Sequence, residues 1–459
     1  MATVPAIRPI PALPTSLPLV ERRAALPPGF AAGGAAIGIK ASGRPDLVLI
    51  RTTDGPAAAA AVFTPNAFAA APIKQSQANL AATSGDPRGR HGWAEVVIST
   101  SGSANAATGA AGDADQAEIG RIVGAATGVT FERVLHLSTG VIGTRLPLDR
   151  VAAGVEANVP LLATSDDAIL AAAEALRTTD SVTKIATTSV ALPAGDGGSV
   201  TVTVSGIAKG VGMIHPRMAT MLAVVLTDAA VDPAVLAGLL RPAAVRTWNQ
   251  LSVDGDTSTN DTVFVLASGA AGNASVEAGS EAASILGGAI EAIARDLARQ
   301  QAADGEGAAT LITCQVSGAR DDAEARAVAR AVVSSSLLKA AVHGRDPNWG
   351  RIAGAAGNAV LADAAVLEAG GVLATEATAR AGSPVVLDPD RLRIAIAGHL
   401  VFDGATGGPV PFDRAAARAE MDSPELLIRL DLGIGDGTGE AFGCDLTEQY
   451  VIENSEYTT

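Results

Sequence analysis

The stretch Lys209-Gly210-Val211-Gly212-Met213-Ile214-His215-Pro216-Arg217-Met218-Ala219-Thr220-Met221-Leu222 changes character part-way along. Two glycines and a proline make its first part a loop, and the apolar run 221–226 has the length of a buried strand. A small residue followed by Thr at the start of such a strand meets the needs of an autoprocessing N-terminal nucleophile. Ala219 lets the scissile carbonyl be approached closely, and Thr220 supplies the hydroxyl. After cleavage the α-amine of Thr220, with an unperturbed pKa of about 7.7–8.0, can act as base for that hydroxyl. Read as structure only, Lys209 and Thr220 are ordinary loop and strand-edge residues, and Ala-Thr pairs are common.

Outward from this point, strand-like and helix-like segments alternate. Apolar runs of strand length cover 47–50, 95–99, 185–192, 221–226, 262–267 and 311–316. The segment 199–205 (SVTVTVS) alternates Val with Ser or Thr, the period of a half-exposed strand. Helical patterns cover 113–126, 166–176, 232–245, 280–303 and 322–342, each beginning at or beside Asp or Ser, residues that cap free amides. This order predicts an α/β or α+β fold. The last residues, 454–459, carry no strong helical or strand pattern.

The chain has 459 residues, enough for roughly two or three domains at about 150 residues each. Hydrophobic residues make up 48% and charged ones 18%, so a large core forms; aromatics are only 3%, so Ala, Val, Leu and Ile do the packing. A net charge of −15 opposes a nucleic-acid partner held through its phosphates. Cys314 and Cys444 make no disulfide framework, so a reducing cytoplasm is the expected location. No uncharged apolar run reaches membrane-spanning length, and no membrane partner is expected. Residues 1–23 hold Pro5, Pro9, Pro11, Pro14 and Pro18 and end in Glu21-Arg22-Arg23; they read as an irregular arm rather than a signal peptide.

Other motifs weigh little. The acidic loop 254–261 (DGDTSTND) has Thr259 where a calcium loop needs Gly, and reads as a polar turn that can border a site. The alternating glycines of 433–439 (GIGDGTG) have the wrong spacing for a dinucleotide fingerprint and read as a turn. His91, His136, His215, His343 and His399 are scattered, so neither a metal site nor a Ser-His-Asp triad has local support.

The stretch 209–222 closely resembles the self-cleavage segment of the ornithine acetyltransferase (glutamate N-acetyltransferase) family of arginine biosynthesis. Further matches run in family order: Ala61-Val62-Phe63-Thr64-Pro65-Asn66, Ser138-Thr139-Gly140-Val141-Ile142-Gly143, Thr178-Thr179-Asp180-Ser181, 253–262 (VDGDTSTNDT), Asp304-Gly305-Glu306-Gly307, Asp346-Pro347-Asn348-Trp349-Gly350-Arg351 and the ending from Tyr450 to Thr459. Departures are 100–106 (TSGSANA for the usual NSGNANA), 306–310 (EGAAT for EGATK, with Ala309 and Thr310), a missing basic residue after Asn66, and His215 and Arg217 in the nucleophile segment.

The resemblance implies a fold of layered sheets and helices, self-cleaved into an alpha chain 24–219 and a beta chain 220–459. It implies transfer of acetyl from N2-acetylornithine to glutamate through an acetyl-Thr220 intermediate, acetyl-CoA being a possible second donor. Thr139 and Gly140 become the oxyanion stabilisers. Lys209 becomes the cation for a substrate carboxylate, Glu306 the partner of a substrate amine, and Thr178 or Thr179 a further hydroxyl. Asn454 and Thr459 close the pocket. No cofactor and no metal are implied; the cleaved fragments are each other's partners, in a heterotetramer of two alpha and two beta chains. The departures feed a second reading, an autoprocessing acyltransferase or amidohydrolase acting on another amino acid in secondary metabolism. A third, a non-enzymatic binding protein, is opposed by the joint presence of Thr139, Gly140, Lys209, Thr220 and Glu306.

Overall fold

The computed structural model describes residues 9–13, 16–215 and 221–455. Three sheets carry the architecture. A four-stranded sheet runs in the order Phe30–Ala35, Leu47–Thr52, Val96–Ser103, Val134–Val141, with the last pair parallel. A six-stranded sheet has the order His91–Ala94, Ala57–Phe63, Thr262–Ala267, Leu222–Thr227, Ser199–Lys209, Lys184–Pro193. A seven-stranded sheet contains Gly437–Cys444, Leu311–Ala319 and Glu425–Asp431 beside one another, with four shorter strands.

The side-chain alternation of a strand explains the layering. Leu47 and Leu49 face the helices Gly109–Thr127 and Leu148–Asn158, while Val48 and Ile50 face inward. In the six-stranded sheet, Ala57, Ala59 and Ala61 meet Val48 and Ile50 in one core. Ala58, Ala60 and Val62 pack on the other side, toward the helices Pro233–Arg246 and Glu281–Ala303. The order is therefore helix, sheet, sheet, helix. A sheet covered on both faces needs apolar residues at successive positions, and Leu222–Thr227 is buried at every one. The seven-stranded sheet has its own core with the helices Asp322–Ser334, Ser336–His343 and Trp349–Gly357.

Three details differ from the sequence reading. The helix expected over 322–342 is two helices, because Ser335 leaves the helical conformation and its hydroxyl accepts from the amide of Leu338. The helix expected from residue 113 begins at Gly109 without a side-chain cap. Asp232, Ser280 and Asp321 do cap the helices that follow them. The third difference is at the C-terminus, where Asn454 ends a helix, Glu448–Asn454. The glycines of 433–439 form a turn that runs into the strand Gly437–Cys444.

Of the N-terminal arm, the amide of Leu13 donates to Gln315 Oε1, Ile10 is buried against Ala395 and Leu400, and Glu21 bridges to Thr187 of the six-stranded sheet. Cys314 and Cys444 are free and buried. Among the described residues, no helix is long and apolar enough to cross a membrane, and no group of three His, Cys, Asp or Glu could hold a metal ion.

Candidate active site

Strands Ser199–Lys209 and Leu222–Thr227 are antiparallel, with Lys209 opposite Leu222. This register brings the two ends of the loop 210–221 together where these two inner strands of the six-stranded sheet end and begin. Ala219, Thr220 and Arg217 lie outside the described residues, as does Thr459. Buried Met221 lines a cleft there together with Thr139, Lys209, Gly210, Ser258 and Asp261.

Thr139 reaches the cleft from the strand Val134–Val141 of the other sheet, and Lys209 Nζ donates to its Oγ1 over 3.1 Å. That bond leaves the Thr139 proton free to point at a ligand. Gly140 follows with φ of +127°, and a Cβ there would stand 2.3 Å from the carbonyl carbon of Gly102. Only glycine allows this close pass between strands. Asn260 Nδ2 donates to the carbonyls of Ala104 (2.7 Å) and Ser138 (2.8 Å), tying the acidic loop to the strand that carries Thr139. Asp254 accepts from the amides of Met213 (2.5 Å) and Ile214 (2.9 Å), and so fixes the turn before the junction. The loop 254–261, expected as a polar turn, is one, and it borders the cleft.

A second cluster forms around Glu306. Its Oε1 accepts from Thr179 Oγ1 at 2.9 Å and its Oε2 from Asn454 Nδ2 at 2.9 Å. Of the two threonines considered, Thr179 is the one whose hydroxyl reaches Glu306; the backbone amide of Thr178 donates instead to Asp180 Oδ2. Gly212 makes room, since a Cβ there would lie 2.2 Å from Glu306 Oε2.

The two clusters are joined by residues that sequence reasoning gave no role. Lys184 Nζ is 2.6 Å from Asp180 Oδ1 and 2.5 Å from Asp304 Oδ2, and its side chain is fully buried. Asp180 Oδ1 also accepts from the amide of Gly210 at 2.8 Å. One buried ion knot thus sets both the chain direction after Lys209 and the loop bearing Glu306. Asp180, Asp304, Asp254, Asn260 and Asp261 all lie inside the segments quoted above. The available signal was a run of polar residues in stretches that also bear glycine and threonine. Lys184 gave one as well, being a lone charge at the head of an apolar strand.

Electrostatics differ sharply over this short span. Burial lowers the Lys209 ammonium below its ordinary pKa, opposed by the Asp180 carboxylate. Burial alone would raise Asp180, but the charges of Lys184 and Lys209 outweigh it and hold its carboxyl well down. Asp261 is pushed well above the usual carboxylate range by burial, against a hydrogen bond from Ser258 and the charge of Lys209. Among the described residues its Oδ2 has no hydrogen-bond partner. Burial, then the carboxylates of Asp254 and Glu306, raise the Tyr450 phenol. The site has a cationic end at Lys209 and an anionic end at Glu306, which suits a ligand carrying both signs.

Residues 31–459 match the ArgJ family. The chain is 42% identical to the arginine biosynthesis bifunctional protein ArgJ of Gloeobacter violaceus over 433 residues, covering 94% of this chain and 96% of that one. It is 41% identical to the protein of the same name from Thermus thermophilus, covering 95% and 99% of the two chains. Among solved structures it is similar to an ornithine acetyltransferase of Mycobacterium tuberculosis complexed with ornithine, at 38% identity over 44% of this chain and 99% of that one, with a TM-score of 0.37. With the family match spanning residues 31–459 and the curated relatives covered over nearly their whole length, the chain belongs to the ArgJ family.

Proposed function

We propose that the chain is a glutamate N-acetyltransferase of arginine biosynthesis, moving acetyl from N2-acetylornithine to glutamate through an ester on Thr220. The observation that carries this reading is the Lys209–Thr139 pair, held by strand register at the cleft lined by Met221, the residue after the nucleophile. In the first half-reaction the α-amine of Thr220 takes the proton of its own hydroxyl, and Oγ attacks the acetyl carbonyl. Charge develops on the carbonyl oxygen. The Thr139 hydroxyl and the backbone amide of Gly140 stabilise it, with Lys209 polarising Thr139. Collapse breaks the amide C–N bond, and the ammonium of Thr220 protonates the departing amine of ornithine. Glutamate's amine then attacks the ester, the Thr220 oxygen leaves with a proton, and N-acetylglutamate is released. Glu306, steadied by Thr179 and Asn454, meets the substrate's ammonium, and the remaining Lys209 protons meet its carboxylate. A histidine is not needed.

The same donors act on the Ala219 carbonyl during self-cleavage, giving two fragments that stay together as a heterotetramer of two copies each, in the cytoplasm. The test is direct. Purified protein should run as two fragments under denaturing conditions, the second starting at Thr220. N2-acetylornithine alone should add one acetyl group to that fragment by mass. A Thr220→Ala chain that still transfers acetyl would overturn the mechanism. An acceptor screen of glutamate against other amino acids and water separates this reading from an acylase of another amino acid, and acetyl-CoA can be tried as donor in the same assay.

A further inference from the structure

A cavity of about 1230 Å³ opens between the helices Asp322–Ser334 and Trp349–Gly357, and among the described residues it shares no wall with the cleft around Lys209. Among the described residues, three guanidinium side chains line it. Arg326 and Arg330 stand one turn apart on the first helix, and Arg351 comes from the second. Among the described lining residues the one carboxylate is Asp363, whose Oδ1 is spent capping the amide of Val366. In a chain of net charge −15, this is a locally cationic chamber.

Arg326 decides what the chamber is for. It is 8% exposed, yet it makes no hydrogen bond or ion pair among the described residues. The carboxylates whose charge reaches it are bonded elsewhere: Asp322 accepts from the amide of Thr438, Asp321 pairs with Arg380, and Glu291 pairs with Arg246. A buried guanidinium whose donors meet no acceptor is costly, and its planar fork of donors matches an oxyanion. A pocket of this size, with apolar residues such as Leu361 beside the arginines, exceeds what a single inorganic ion or one amino acid fills.

We propose that this cavity binds a small-molecule oxyanion, carrying phosphate or carboxylate groups on an apolar body, with Arg326 as its buried counter-charge and Arg330 and Arg351 as flanking donors. Calorimetry on the full self-processed protein, at low salt and without substrates, tests it with phenyl phosphate and phthalate as probes. At least one should bind; phenyl phosphate alone assigns the phosphate class, and phthalate alone the carboxylate class. Arg326→Met, which keeps the stem, should weaken that binding roughly ten- to hundredfold. It should also raise the thermal midpoint of the free protein, because it removes a buried charge that makes no hydrogen bond. Arg351→Met should weaken binding without raising the midpoint. Absence of binding by both probes at millimolar concentration, or equal affinity in wild type and Arg326→Met, would overturn the proposal. Neither result touches the acetyl-transfer reading, because no step of that reaction is measured.

Discussion

His136 is buried three residues before Thr139 in the strand that carries it. Gln116 Oε1 accepts from Asn105 Nδ2, so the Gln116 amide nitrogen is the donor that meets His136 Nδ1 at 2.9 Å. The ring therefore accepts at Nδ1 and carries its proton on Nε2, which has no partner among the described residues. A second proton would set two donors face to face and bury a charge; burial lowers the His136 pKa to about 3. With the folded value below the unfolded one of about 6.5, acid favours the unfolded chain. The stability from neutral His136 is complete above about pH 6.5 and is lost as pH falls toward 3, at up to about 1.4 kcal/mol per pH unit. Replacing His136 by Gln should cost stability at pH 7, and the gap to wild type should narrow by about 2 kcal/mol between pH 6.5 and 5. Denaturant titrations at the two pH values measure this. A gap that stays constant would mean that His136 takes up its proton without opposing the fold.

At the scale of elements, the helix Glu448–Asn454 is short and exposed, and it owes its place to a few polar contacts. Thr447 caps it through the amide of Gln449 and donates to the carbonyl of Gly307 at 2.7 Å. His343 sits 3.2 Å from Glu448 and 3.5 Å from Asp445. The helix ends with Asn454 on Glu306. Chain ends of this kind usually tolerate change. Here the last side chain of the helix orients a carboxylate of the candidate site, and orientation carries much of a catalysed rate. Asn454→Ala should therefore lower acetyl transfer about tenfold, a scale set by one hydrogen bond to a charged group. Removing residues 454–459 should lower it further, and self-cleavage should proceed normally in both. Gel analysis and a transfer assay on the same samples test this; full-rate transfer by the truncated chain would remove Asn454 and Thr459 from the pocket.

Across the whole molecule, the Lys184–Asp180–Asp304 knot links the six-stranded sheet, the turn 178–182 and the end of the helix Glu281–Ala303. Buried ion groups often add little net stability, but removing one member strands the others. Lys184→Met should destabilise the protein by about 3–5 kcal/mol, because Asp304 loses its ammonium partner and buried Asp180 is left with the charge of Lys209 alone. Adding Asp180→Asn and Asp304→Asn to that variant should recover part of the loss. The two substrate clusters should then come apart, with acetyl transfer staying low even where stability returns. Chemical denaturation with parallel activity assays separates these effects. A loss below about 1 kcal/mol in the single variant would place the knot among weak surface pairs.

Reaction class and layered α/β class were legible in the sequence by itself. The apolar runs at 47–50, 221–226 and 262–267 are strands in the structure because a continuous apolar run is stable only when both faces are covered. The motifs around Thr139, Lys209 and Glu306 were legible because each is a local string of residues. Tertiary structure alone decided which of these residues meet. Thr179 and Glu306 are 127 positions apart, and Lys184 and Asp304 are 120 apart. It also decided that buried Arg326 makes no ion pair among the described residues while Glu324, on the same helix, is paired with Arg320 and Arg380. The physical reason is that helix and strand patterns are written in neighbours a few residues apart. Charge pairing, desolvation and strand register depend instead on what the packed layers bring within about 4 Å, and no local pattern contains that distance.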